Sequence, residues 1–243
     1  MSLQPVNEES EAIPAGGIAI VVGASGGIGG ALHGRLSSQS RFSSVLALGR
    51  GSSPALDLTN EESIAVAARQ VAGRGASLRL FIDASGLLHG DGVSPEKSWR
   101  DLDATHMARA FAVNAIGPAL LMKHFLPLLP RQGRSVFATL SARVGSIGDN
   151  RLGGWYSYRA SKAALNQFVR TAAIELGRRQ PAAICVALHP GTVSTPLSAP
   201  FVKAGLDVQT PEEAAARLLD TIEGLGPGSS GGFFDHRGDP VPW

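Results

Sequence analysis

The chain has 243 residues, of which 44% are hydrophobic and 17% are charged, and its formal net charge is +2. This balance suits one compact α/β domain and excludes a disordered chain or a coiled coil. Lysines and arginines are scattered along the chain, so no basic tract indicates a nucleic-acid or membrane-surface partner.

The single cysteine, Cys185, excludes an intramolecular disulfide and is typical of a reducing cytoplasm. The first fifteen residues contain three glutamates and no apolar core, unlike a secretory signal. We interpret residues 1–15 as a flexible tail and 16–243 as one domain. No stretch approaches 18 uninterrupted apolar residues, so we expect no membrane span and a cytoplasmic location.

Short apolar runs alternate with stretches of helical spacing along the chain. The predicted strands are 18–22, 45–48, 55–58, 78–82, 136–140, 182–188 and 232–234. The predicted helices are 28–36, 61–71, an interrupted helix within 101–129, 157–177 and 211–223. This alternation predicts an α/β fold, a single Rossmann-like doubly wound parallel sheet flanked by helices on both faces.

A glycine-rich turn, Gly23-Ala24-Ser25-Gly26-Gly27-Ile28-Gly29, separates the first predicted strand from the first helix. Glycines let the backbone turn tightly and approach a pyrophosphate, whose charge the N–H groups at a helix start can bind. An isolated turn of this kind favours a flexible loop. Its place between a strand and a helix favours a dinucleotide site.

A second motif, Tyr158-Arg159-Ala160-Ser161-Lys162, lies on the helix predicted for 157–177. Tyr158 and Lys162 are four residues apart, so they share one face of that helix. Because a nearby ammonium favours the phenolate, we expect Lys162 to lower the pKa of Tyr158 from about 10. The pair would then donate and accept protons in carbonyl chemistry.

Together the motifs resemble those of the short-chain dehydrogenase/reductase family. The glycine turn matches the family's cofactor turn, except that Val22 replaces a threonine, and Tyr158 with Lys162 matches its catalytic pair. Asp83-Ala84-Ser85-Gly86 stands where the family usually has Asn-Asn-Ala-Gly. Asn114 and the loop 190–195 match further motifs. Segments 141–147, 153–158 and 239–243 resemble the C-factor-like and carbonyl-reductase-like branch.

The resemblance implies an oxidoreductase that transfers hydride between nicotinamide and a small, largely apolar carbonyl or alcohol substrate. Tyr158 would be the general acid and base, and Lys162 would assist it and bind the nicotinamide ribose. Asn114 would hold a water that links Lys162 to solvent in a proton relay. Alternatively, it is a buried amide whose hydrogen bonds are made within the core and which bends its helix. Ala142 stands at the position of the family's usual second serine, but the loop to Tyr158 is longer than usual and could shift the register, so we choose Ser141 to orient the carbonyl. Ser146 is the alternative, and it stays open whether either hydroxyl contacts substrate.

The cofactor is expected to be NADP(H), with NAD(H) as the alternative. The second strand ends at Gly49-Arg50 without an acid, and a guanidinium suits a 2′-phosphate, although Arg50 could be a plain surface charge. Asp57 would accept from the adenine or cap the following helix. The implied cofactor-binding residues are Gly23, Ser25, Gly27, Ile28, Gly29, Arg50, Asp57, Leu58, Ala84, Ser85, Gly86, Asn114, Tyr158, Lys162, Pro190, Gly191, Val193 and Thr195.

Six residues between Arg50 and Asp57 are too few for a crossover helix, so the adenosine side should be open. Residues 196–207 are predicted to form a mobile lid. Its Leu197, Phe201 and Val202, with Trp155 and Leu87, would line an apolar pocket or simply pack.

No metal site is expected, since the histidines and the cysteine form no ligand cluster.

The two long helices are expected to pack against a second copy, as a homodimer or homotetramer. A rival hypothesis is a cofactor-binding regulatory protein with little turnover, which Ala142 and Asp83 favour. Because the Asp83 carboxylate could cap a helix or repel the cofactor's phosphates, we do not assign it to the site.

Overall fold

The computed structural model describes residues 12–90, 92, 94–201, 205 and 207–243. Its strands are β1 (Ile18–Val22), β2 (Ser44–Leu48), β3 (Leu78–Asp83), β4 (Ser135–Leu140), β5 (Ala183–His189), β6 (Thr192–Val193), β7 (Val208–Gln209) and β8 (Phe233–Asp235). Six of them form a parallel sheet in the order β2-β1-β3-β4-β5-β8, and β6 pairs with β7 separately.

Helices cover both faces of this sheet. They are α1 (Gly27–Ser37), α2 (Glu61–Ala72), α3 (Ala104–Phe111), α4 (Gly117–Phe125), α5 (Tyr156–Gly177) and α6 (Pro211–Gly224). A π-helical segment, Ala112–Ile116, joins α3 to α4. The predicted doubly wound parallel sheet is confirmed.

Two apolar cores explain why the strands are apolar along their whole length. On one face α1 and α6 pack, with Leu32 and Leu218 buried. On the other face α2, α4 and α5 pack around Phe81 and Phe137, whose stacked rings lie 4.6 Å apart. Because both faces are covered, alternation of polar and apolar residues is lost in the central strands.

One predicted strand is wrong. Residues 55–58 form an irregular segment, and the chain crosses from β2 to β3 through α2. Leu56 is nevertheless buried, and its N–H donates to the carbonyl of Gly49, which accounts for the apolar signal. A single buried leucine therefore gave the pattern of a strand. The two-residue strands β6 and β7 were not predicted, because they are too short to show any period.

The start of the chain is partly described. Within the predicted tail, residues 1–11 lie outside the described residues, whereas Ile13 is buried against the α1 and α6 core. The Ile13 carbonyl accepts a hydrogen bond of 2.7 Å from Arg41. The ordered domain thus includes residues before Gly16.

The run Ala104–Leu128 is helical throughout and, by length and hydropathy alone, could cross a membrane. In this fold it lies on the sheet, with Leu121 and Phe125 fully buried. The core helix of a globular domain satisfies the same two criteria. This is the predicted long helix, and the π-helical segment is its interruption.

Candidate active site

The motifs meet at the edge of the sheet where parallel strands end. The glycine turn follows β1, Ala84 follows β3, Ser141 follows β4 and Pro190 follows β5. In an open parallel sheet this carboxyl edge is where ligands bind.

Two adjoining cavities of about 470 Å³ each lie at this edge. One is lined by the predicted residues Ser25, Gly27, Ile28, Gly29, Ala84, Ser85, Gly86, Ser141, Tyr158, Lys162, Pro190 and Thr195. The other, which shares Ser25 and 84–86, adds Gly23, Arg50, Asp57 and Leu58. Most of the residues expected to bind cofactor therefore line one continuous cleft.

Three predicted residues, Asn114, Gly191 and Val193, do not line either cavity. Among the other lining residues, the sequence analysis missed Thr59, His89 and Arg109. No motif marks them, because their place depends on how distant loops meet. Larger cavities beside α6 and between α4 and α5 contain no predicted site residue.

The glycine turn is too closely packed to accept side chains at Gly27 and Gly29. Gly23 has φ of +80°, and a Cβ on Gly29 would lie 2.2 Å from the Gly23 carbonyl oxygen. A Cβ on Gly27 would lie 2.9 Å from the Thr195 methyl, so turn and loop are in close approach. Side chains are therefore excluded from these positions of the turn, and its backbone at the start of α1 lines the cavity, where N–H groups can bind an anion such as a pyrophosphate.

The adenosine side is bordered by β2, which is one of the two edge strands of the six-stranded sheet. Arg50 is exposed and lines the cavity with Asp57. Asp57 Oδ1 accepts from the N–H and hydroxyl of Thr59, and these hydrogen bonds, with the charge of Arg50, hold the pKa of Asp57 below its ordinary value. Asn60 rather than Asp57 caps α2.

Tyr158 and Lys162 lie on successive turns of α5, with the Lys162 ammonium over the Tyr158 ring and bonded to a backbone carbonyl. Its Nζ donates a 2.7 Å hydrogen bond to the Leu140 carbonyl and lies 6.0 Å from the centre of the Tyr158 ring. Burial raises the pKa of Tyr158 to about 12. Burial lowers the pKa of Lys162 to about 8, against the opposing charge of Asp83. The expected lowering of the tyrosine pKa is therefore wrong here, because burial outweighs the ammonium.

The two candidate serines are placed differently. Ser141 lines the cleft and its Oγ donates 2.7 Å to Oδ1 of Asn166. Ser146 is buried outside the cleft lining, where its Oγ accepts from the N–H of Asp149. Of the two, Ser141 has the placement that a carbonyl-orienting residue needs.

Asn114 lies in the π-helical segment and is fully buried. Its amide pairs with both the N–H and the carbonyl of Leu87, each at 2.8 Å, and also donates to Ser161. This arrangement fits the alternative of a satisfied core amide. The relay water stays a prediction.

Aromatic rings cover the open side of the cleft. The Phe201 ring lies 5.0 Å from Trp155 and 5.5 Å from His89, and Trp155 lies 6.2 Å from Tyr158. His89 also contacts the Pro196 carbonyl at 3.1 Å. Leu197 lines the cleft, whereas Val202 lies outside the described residues.

A parallel sheet with a glycine turn after its first strand is the architecture of dinucleotide-binding α/β proteins. Residues 35–221 match the family model described as enoyl-(acyl carrier protein) reductase. The chain is 34% identical over 190 residues, 78% of its length and 79% of the relative's, to 1-hydroxy-2-glutathionyl-2-methyl-3-butene dehydrogenase of Rhodococcus sp. (strain AD45). It is 40% identical over 144 residues, 59% of its length and 82% of the relative's, to C-signal of Myxococcus xanthus.

The NADPH-bound carbonyl reductase from chicken fatty liver has the same fold, with a TM-score of 0.82 and 26% identity over 95% of this chain and 100% of that one. The chain therefore belongs to the short-chain dehydrogenase/reductase family, and it is an oxidoreductase of that type.

Proposed function

We propose that the protein is an NADP(H)-dependent oxidoreductase that interconverts a small, largely apolar carbonyl compound and its alcohol. The observation that carries the proposal is that Tyr158, Lys162 and Ser141 line the same cavity as the glycine turn. A proton donor, a cation and a phosphate-binding turn then face one substrate-sized space.

The residues of the cleft suit a phosphorylated dinucleotide. The glycine turn and the start of α1 would bind the pyrophosphate, Arg50 would bind the 2′-phosphate, and Thr195 would approach the nicotinamide. The bound NADP(H) would supply or accept the hydride. The NADPH bound to the chicken carbonyl reductase supports this choice over NAD(H).

With a pKa of about 12, Tyr158 holds its proton at neutral pH. Tyr158 would therefore donate its proton to a carbonyl oxygen in reduction, and its phenolate would accept the alcohol proton in the reverse direction. Lys162 would stabilise the phenolate that forms, and Ser141 would orient the carbonyl by turning its hydroxyl from Asn166 towards the substrate. Trp155 and Phe201 would exclude water and contact the apolar part of the substrate.

The test is a fluorescence titration of the protein with NADPH and NADH, followed by turnover of the bound cofactor with a panel of aldehydes and ketones. We expect tighter NADPH binding and turnover of apolar carbonyls. Tyr158→Phe should keep NADPH binding and lose at least about 100-fold in kcat, since general acid catalysis contributes that much. Tyr156→Phe is the matched control, because Tyr156 does not line the cleft and should keep its activity.

A second candidate function is regulatory or signalling, with cofactor bound but little turnover. The likeness to C-signal favours it. Tight NADPH binding without turnover on any carbonyl in the panel, together with an unchanged Tyr158→Phe phenotype, would favour this second function and contradict the first.

We further propose that the chain assembles as a homodimer or homotetramer through α4 and α5, where a groove contains Met122, Leu126 and Phe168. The substrate is a small molecule, with no nucleic-acid or membrane partner. A cytoplasmic location and a single domain, which includes the buried Ile13, complete the proposal.

A further inference from the structure

Asp83 is a buried carboxylate at the end of β3, directly under the cleft. It is 1% exposed. Its Oδ1 accepts from the N–H of Ser85 at 3.0 Å and from the Ser85 hydroxyl at 2.5 Å, and its Oδ2 accepts from Thr139 at 2.8 Å. Acceptor-only bonding on both oxygens is the pattern of an ionised carboxylate.

The pleat of the sheet places this carboxylate on the face that carries Lys162. Phe81 and Phe137, two residues before Asp83 and Thr139, belong to the core packed by α5. Since side chains alternate along a strand, Asp83 and Thr139 project to that same face. Thr139 precedes Leu140, whose carbonyl binds the Lys162 ammonium.

Lys162 is 2% exposed, so its ammonium has lost most of its hydration. A nearby negative charge therefore stabilises it more than it would a surface lysine. Around it α5 contributes Tyr158, and the π-helical segment contributes the neutral Asn114. The turn after β4 contributes Arg143, whose guanidinium binds Asp149. Within the described residues, Asp83 is the anion whose charge raises the pKa of Lys162 against its burial.

We infer that Asp83 is a positioning residue whose charge keeps Lys162 protonated. The inference rests on the proposed function, because it assigns Asp83 a part in the chemistry of Tyr158 and Lys162. Lys162 stays protonated, but the negative charge of Asp83 partly offsets its positive charge. The ammonium therefore lowers the pKa of the Tyr158 phenol less than an unpaired lysine would. The pH at which the enzyme works is then set by three side chains rather than two.

The charge of Lys162 can be measured without turnover. The chain has four lysines, Lys97, Lys123, Lys162 and Lys203, so their ¹³Cε signals in selectively labelled protein can be assigned by single Lys→Arg variants. In the NMR titration of the full chain, Lys162 should titrate near pH 8. In Asp83→Asn its pKa should fall by about one unit or more, because a buried opposite charge is removed.

Thr139→Val is the matched control, since it removes one hydrogen bond of Asp83 and leaves the carboxylate in place. Its Lys162 pKa should stay within a few tenths of the unmodified protein's. Should Asp83→Asn not fold, Asp83→Ser removes the same charge and keeps a hydroxyl partner for Thr139. A Lys162 pKa unchanged in the folded charge-removing variant would overturn the inference.

The pH profile of kcat/KM supplies the second readout. The alkaline loss of carbonyl reduction should move to lower pH in Asp83→Asn by the same shift seen for Lys162, and should stay in place in Thr139→Val. If Asp83→Asn lowers the Lys162 pKa but the unmodified protein turns over no carbonyl, the proposed function is contradicted and the Asp83–Lys162 coupling is supported. If carbonyls are turned over but Asp83→Asn shifts neither the Lys162 pKa nor the pH profile, only the Asp83–Lys162 coupling is contradicted.

Discussion

At the scale of single residues, the glycine turn makes the sharpest prediction. Gly29 should not tolerate a methyl group, because its Cβ would lie 2.2 Å from the backbone oxygen of Gly23. We expect Gly29→Ala to lower the free energy of unfolding by about 1–3 kcal/mol and to weaken NADPH binding. Thermal or denaturant unfolding and the fluorescence titration measure the two effects.

Gly34→Ala is the control on the same helix. Gly34 is exposed, and a Cβ there meets nothing within 4 Å. Alanine at this helical position should raise the free energy of unfolding by about 0.5–1 kcal/mol and leave NADPH binding unchanged. Equal losses of stability in the two variants would show that the turn is not closely packed.

Some residues of the site could be predicted from the sequence around them, and others could not, because only the tertiary structure brings them to the cleft. Tyr158 and Lys162 follow from helical spacing, and Gly23 and Gly29 follow from their place between strand and helix. The direction of the Tyr158 pKa could not be predicted, since it depends on burial and on where the Lys162 ammonium points. His89 and Arg109 reach the cleft only through the tertiary arrangement of distant loops.

At the scale of elements, the start of α5 is held by a buried carboxylate. Gly153, Gly154 and Trp155 all have positive φ, and the Trp155 N–H donates to the Glu96 carbonyl at 2.5 Å. The Glu96 side chain accepts from both the N–H and the hydroxyl of Ser157. A left-handed tryptophan is strained by about 1–3 kcal/mol, so these bonds fix the helix that carries Tyr158.

Glu96→Gln should lower the free energy of unfolding by about 1–3 kcal/mol at neutral pH, because a buried hydrogen-bonded carboxylate is lost. Burial raises the pKa of Glu96, but the hydrogen bonds from Ser157 and the nearby His106 outweigh it and hold the pKa below its ordinary value. Stability from a lowered carboxyl pKa is complete above the unfolded value of about 4.3 and is lost as pH falls through the folded value. The difference between the two proteins should therefore shrink in acid.

Denaturant unfolding across this pH range measures the difference. Glu62→Gln is the comparison, since Glu62 forms an exposed pair with Arg69 and should change stability by less than about 1 kcal/mol. A Glu96→Gln difference that grows in acid would contradict the assigned direction.

Element boundaries were predictable where a pattern is long. The helix over 211–223, with Thr210 as cap and Glu213 three residues later, matches α6 and its reciprocal capping bonds. The run at 55–58 misled because Leu56 fills the core from an irregular segment. The π-helical segment has no period of its own and could only be predicted as an interruption.

At the scale of the whole molecule, α5 presents apolar side chains outward. Phe168 is 41% exposed and lines a groove of about 630 Å³ between α4 and α5, and Ile174 on the same helix is 51% exposed. If this face joins two copies, Phe168→Glu should place a charge at the contact and shift the protein from an oligomer to the 25.2 kDa monomer. Sedimentation at micromolar concentration measures the shift.

Trp99→Ser is the control, because Trp99 is 68% exposed away from this groove and should leave the assembly unchanged. A single 25.2 kDa species from the unmodified chain would contradict the proposed assembly.

The strand order has a consequence for how the chain reaches this state. β1 lies between β2 and β3 in the sheet. The other neighbour of β3 is β4, which begins 52 residues after β3 ends. As each parallel pairing encloses a long loop, contacts distant in sequence must form before the sheet is complete, and such topologies fold slowly. During synthesis the amino-terminal half would expose the unpaired backbone edge of β3 until Ser135–Leu140 emerges. Chaperone demand should therefore be concentrated in that interval.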